Sequence, residues 1–210
     1  MERTTSLADA KQIMGDSLIG PEELSSIANK MGIERLRSYP VIPFSAKELY
    51  EKRENYILIL GTSQMKDGTA LTLKSLRDKF GTNPDLSEPC FYNQDWYLNE
   101  KFIVKSLEKK WHLLRKNVFE ESRGKNPDII SAQYKMPSAI ICAFAFLSNY
   151  LINKGALLWE HDFIWCNDLD CNGDRIYVGK YHDINGINKN GFSIHRHLSI
   201  RNHYGAVDFI

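Results

Sequence analysis

A chain of 210 residues, 43% of them apolar, has the material for one large domain with a real core, which argues against disorder. The formal net charge of +1 argues against bulk attraction to nucleic acid or to an anionic membrane. The apolar run Ile140 to Leu147 has eight residues and is too short to span a bilayer, and the first residues lead into no apolar signal segment. The expectation is a cytoplasmic protein. Its cysteines, Cys90, Cys142, Cys166 and Cys171, form no C-x-x-C pair and read as reduced thiols.

In chain order, residues 6–32 read as two short helices. Pro21 suits a first helical position, Glu22 and Glu23 suit the positive end of a helix dipole, and Gly32 suits a stop. Pro40 and Pro43 mark an extended link, and Ser45-Ala-Lys-Glu48 is a capping box that opens a helix to about Arg53. Tyr56 to Leu60 is short, apolar and ended by Gly61, which predicts a buried strand. Met65 to Gly68 reads as a turn. Leu71 to Phe80 has helical spacing and ends at Gly81.

The stretch Cys90 to Tyr97 is aromatic-rich without a clean period, and packing against the core is its first reading, ahead of stacking on bases or sugars. Trp111 to Val118 reads as a strand, and Glu120 to Pro127 as a polar loop. Pro137 to Asn153 is the clearest helix, apolar nearly all round and so central to the core. Leu157 to Cys166, Arg175 to Tyr181 and Phe192 to Arg201 read as strands joined by links rich in Asn, Asp and Gly. No internal repeat or linker divides the chain. Residues 1–210 therefore read as a single domain, with a helical part at 1–54, a scaffold at 55–165 and a distinct region at 166–205. Helices first and antiparallel strands last predict an α+β class.

Several motifs offer chemistry. Asp168-Leu-Asp-Cys-Asn-Gly173 begins like a calcium-binding EF-hand loop, but the twelfth residue from Asp168 is Gly179, where a bidentate Glu is required. A hairpin turn with Asn172-Gly173 supplying positive φ is the better reading. His195 and His197 share one face of a strand and His203 is near, yet no other ligand lies at zinc spacing. G-x-S-x-G, a P-loop and G-x-G-x-x-G are all missing. Pro127-Asp128 with Lys135 only loosely matches a nuclease set, because a single acid makes no metal site.

The strongest signal is compositional. From Cys166 to Gly205 there is no Glu, Gln, Met, Trp, Thr or Pro, and the only lysines are Lys180 and Lys189. All 13 glutamates of the chain lie at or before Glu160. On 192–201 the alternation puts Phe192, Ile194, Leu198 and Ile200 on one face and Ser193, His195, His197, Ser199 and Arg201 on the other. On the preceding strand Ile176 and Val178 alternate with Arg175, Tyr177 and Tyr181. Tyr, Ser, Gly and Asn are the palette of antibody binding loops, whereas an ordinary sheet face is rich in Lys, Glu and Thr. The genetic code sharpens the point. Asn codons carry two adenines and a pyrimidine. Randomising the adenines reaches Asn, Asp, His, Tyr, Ser, Gly, Arg, Cys, Leu, Ile, Val and Phe, and never Glu, Gln, Lys, Met or Trp.

On these residues the chain resembles the variable proteins of diversity-generating retroelements, which are bacterial or phage proteins. The matching stretch runs from Asp162-Phe-Ile-Trp-Cys-Asn through Gly179 and on to Arg201-Asn-His-Tyr-Gly205, about the last third of the chain. The resemblance implies a C-type-lectin-like fold and a C-terminal variable region, 166–205, made by adenine-directed mutagenesis. It implies a protein or other macromolecular ligand, with no cofactor, no metal and no catalytic residue. The implied ligand-binding residues begin with Asn167, Asp168, Asp170, Asn172, Asp174, Tyr177 and Tyr181. They continue with His182, Asp183, Asn185, Asn188 and Asn190, and then with Ser193, His195, His197, Ser199, Arg201, Asn202, His203 and Tyr204. The competing reading is a metal-dependent hydrolase or nuclease using Asp168, Asp170, His195 and His197. A plain structural subunit is the third.

Overall fold

The computed structural model describes residues 4–181, 191–196 and 199–210. The amino-terminal helices are α1, Leu7–Met14, and α2, Pro21–Met31. Ser6 caps the first, its Oγ accepting from Asp9 N at 3.1 Å. Gly32 ends the second in the left-handed region at φ 71°, as its place in the sequence predicts. Ser45 accepts from Glu48 N and opens α3, Ala46–Lys52. Thr72 and Ser75 cap each other at the start of α4, Leu73–Phe80. A short helix, α5, spans Pro127–Ser131, where the sequence reads as loop up to Pro127.

Strands β1, Leu18–Ile19, β2, Tyr56–Leu60, and β3, Trp111–Arg115, form a three-stranded sheet. In it β1 runs parallel to β2, and β3 antiparallel. Helix α6, Ala139–Ile152, follows, and every residue from Ala139 to Asn149 is buried. A second sheet has the order β6-β5-β4-β7, from β4, Phe163–Leu169, β5, Arg175–Gly179, β6, Ser193–His195, and β7, Tyr204–Gly205. Pairing is antiparallel except between β4 and β7. The chain is thus α+β, with strands on both sides of α6 in sequence rather than gathered at the end. No helix among the described residues is long and apolar enough to cross a membrane.

One large core joins α6 to both sheets and runs from Ala10 to Val207. Phe146 on α6 packs on Tyr181 at 5.2 Å and on Phe192 at 5.0 Å between ring centroids. Cys142 is fully buried there as a small apolar group. The aromatic stretch joins the core as expected: Phe91 and Tyr97 are buried, and Tyr92 N donates to Phe192 O at 3.0 Å. After β7 the chain returns to the first sheet. Leu113 N donates to Ile210 O and Ile210 N to Leu113 O, each at 3.0 Å, so this segment pairs with β3.

Several strand boundaries differ from the sequence expectation: β3 ends at Arg115 rather than Val118, and β4 runs on to Leu169 rather than ending at Cys166. β4 starts at Phe163 rather than Leu157, because Trp159 has φ 52°, which breaks an extended run. β5 stops at Gly179, since Gly179 at φ 127° and Lys180 at φ 45° turn the chain. β6 has only three residues. Leu198 lies outside the described residues, and Ile200, expected inside, is 39% exposed.

Candidate functional site

The 166–205 region is built on the second sheet, and both faces of that sheet are covered. Ile164, Cys166, Ile176, Val178 and Ile194 pack inward on the main core. On the outer face the register sets Tyr177 opposite both Trp165 and His195, and Phe163 opposite Tyr204. These side chains form a cross-strand aromatic row. Tyr177 stacks on Tyr204 at 4.8 Å and on His195 at 5.7 Å, and meets Trp165 edge-on at 5.0 Å. Ile130 on α5 and Met136 complete this smaller core.

The cover corrects part of the expected contact surface. Tyr177 and Tyr204 are buried on the outer face because neighbouring rings cover them, and Ser193 is buried too, its Oγ donating to Gly191 O at 3.3 Å. Tyr181 is buried on the inner face against Phe146, its Oη accepting from Cys90 N at 3.4 Å. His195 is half-buried, with Nδ1 3.3 Å from Gln94 Nε2. Burial, reinforced by Lys180, lowers its pKa to about 4. Burial also lowers that of His203, which packs on Tyr204 at 4.6 Å.

Asp168 and Asp170 are structural as well. Asp168 is 2% exposed; it accepts from Lys105 Nζ at 2.7 Å and from Ala139 N, the first residue of α6, also at 2.7 Å. It therefore fixes the helix to β4 at the helix's positive end. Asp170 Oδ1 accepts from Asn172 N and Asp174 N, each at 2.8 Å, and Oδ2 accepts from Arg196 at 2.6 Å. Burial opposes the Asp170 carboxylate, but Arg196 and the two amides outweigh it and hold its pKa below the ordinary value. The hairpin-turn reading of Asp168–Asp174 is the observed one, with Gly173 alone taking positive φ, 88°. Among the described residues no group of three or more His, Cys, Asp or Glu could hold a metal ion.

What remains open to a partner is the rim of the sheet. Asn167, Asn172, Ser199, Arg201 and Asn202 are exposed and Asp174 is half-buried. His182, Asp183, Asn185, Asn188, Asn190 and His197 lie outside the described residues. Between the Asp170–Asp174 turn, α5 and Ile200 lies a groove of about 390 Å³. Trp165 and Arg175 line it together with Leu169, Asp128 and Asp174. Sequence reasoning missed this groove. Trp165 and Arg175 read as ordinary strand residues, and α5 meets them only through the tertiary fold.

The chain matches no family model, no curated protein and no solved structure.

Proposed function

We propose that the chain is a ligand-binding display protein of the retroelement-diversified type. Residues 166–205 are its variable region on a C-type-lectin-like scaffold, its target is a protein or other macromolecule, and it acts in the cytoplasm. One observation carries this reading. The exposed residues described between 166 and 205 are Asn167, Leu169, Cys171, Asn172, Gly173, Ser199, Ile200, Arg201 and Asn202. Each is of a type that adenine randomisation of Asn codons reaches, and none is the Lys, Glu, Gln or Thr of an ordinary surface. The covered sheet beneath supplies the rigidity that lets such side chains bind without a large ordering cost.

The metal-hydrolase reading fits less well, because Asp168 and Asp170 are already neutralised by Lys105 and Arg196. Sequencing the DNA that flanks the gene tests the display reading. The expected result is a reverse transcriptase gene and an imperfect copy of the 166–205 coding segment, with mismatches at adenines of that copy. Mismatches spread evenly over the four bases, or no copy, would overturn it.

A further inference from the structure

We infer that the groove between the Asp170–Asp174 turn and α5 receives the carboxylate of an acidic side chain carried by a protein partner. The inference rests on the display reading and names the chemistry of its target. Two donor-only groups carry it. Trp165 is 3% exposed and lines the groove, and its indole N–H has no acceptor among the described residues. Arg175 lines the same groove, and its buried Nε–H also has no acceptor among them.

The rest of the guanidinium is held only weakly. One terminal nitrogen reaches Cys166 O and the other Asp128 Oδ1, each at 3.5 Å, the outer limit of a hydrogen bond. A buried donor without an acceptor is a standing cost, and two of them on residues that line one groove call for an acceptor with two oxygens. A planar carboxylate matches a guanidinium edge in a way a single carbonyl does not. The Asp128 side chain is 81% exposed, so it can swing into solvent and yield its place.

Asp174, at the other rim, disfavours a dianion and so selects a carboxylate over a phosphate. The groove is open, and a lone carboxylate would gain little there. Leu169, 46% exposed, and Ile200, 39% exposed, border it and offer contact to an apolar residue beside the acid. The fitting ligand is a peptide segment with an acidic side chain next to an apolar one.

The test uses the full chain labelled with ¹⁵N and reads the indole N–H signals of its 4 tryptophans. Trp165→Phe identifies one of them. Titration with acetyl-leucyl-glutamic acid amide, whose side chain carries the only carboxylate, should move the Trp165 signal saturably and leave the other indoles in place. The glutamine counterpart should bind at least about tenfold more weakly. Arg175→Gln should weaken binding by a similar factor with the other indole signals unchanged, and Asp128→Asn should tighten it. The proposal fails if no saturable shift occurs at millimolar peptide. It fails equally if the glutamine peptide, a free C-terminal acid or inorganic phosphate binds as well, or if Arg175→Gln binds unchanged. Adenine-directed mismatches beside the gene without this shift would keep the display reading and remove the carboxylate site.

Discussion

In the first sheet, Tyr56–Leu60 is apolar and buried at every position, so residue type and burial agree. In the second, Arg175–Gly179 alternates Ile176 and Val178 with polar and aromatic residues, yet its last four positions are all buried. The two strands reach the same burial by different means. Aliphatic side chains in β2 fill the main core together with the helices. The Tyr, Trp and His rings of the second sheet cover one another instead, with α5 as a lid. An apolar–aromatic alternation therefore does not report an exposed face when rings stand opposite each other on neighbouring strands.

Removing the centre of the aromatic row should have the largest effect. Tyr177→Ala takes away a ring that touches Trp165, Phe163, His195 and Tyr204, and should cost about 3–5 kcal/mol in denaturant unfolding. Tyr177→Phe should be close to neutral, because the hydroxyl makes no hydrogen bond of normal geometry. If Tyr177→Ala cost no more than a surface change, the outer face would be a solvent face after all.

Each sheet carries one histidine shielded from solvent, His112 buried and His195 half-buried. His112 on β3 stacks on Phe209 at 5.1 Å, and burial, reinforced by Lys110, lowers its pKa from 6.5 to about 4, as burial does for His195. Folding thus favours both imidazoles neutral. Their stabilising effect is complete above the unfolded value of 6.5 and is lost as pH falls towards about 4. Each contributes up to about 3 kcal/mol over that window. Stability measured by urea titration at stepped pH should fall on the acid side. His112→Phe and His195→Phe should each remove about half of the fall, and a fall carried by one histidine alone would break the symmetry between the sheets.

The smallest effects belong to the rim. Ser199→Ala and Arg201→Ala should change stability by no more than about 0.5 kcal/mol in thermal melts, since both side chains are exposed. A larger loss would make the rim part of the scaffold.

Much of the amino-terminal two thirds was legible because its signals are local. Five consecutive apolar residues announce β2, Gly32 and Gly81 mark helix ends, and Ser45 caps α3. Helix α6 starts two residues later than Pro137 because Ser138 takes the N-cap. The candidate site was less legible because its determinants are distant in sequence. Asp168 meets Lys105 across 63 residues and Asp170 meets Arg196 across 26, so both look like free ligands until the chain is folded. The lid over the aromatic row comes from Ile130 and Met136, which no strand pattern predicts. The failed calcium loop was readable, since Gly179 stands where a closing Glu is needed.

The division between scaffold and rim can be read directly in a population. Sequencing the 166–205 coding segment from many cells that carry the gene should find substitutions concentrated at Asn167, Asn172, Ser199, Arg201 and Asn202, with Tyr177, Tyr181 and Tyr204 constant. Substitutions spread evenly along the segment, or gathered at the buried tyrosines, would contradict a variable display surface on a fixed sheet.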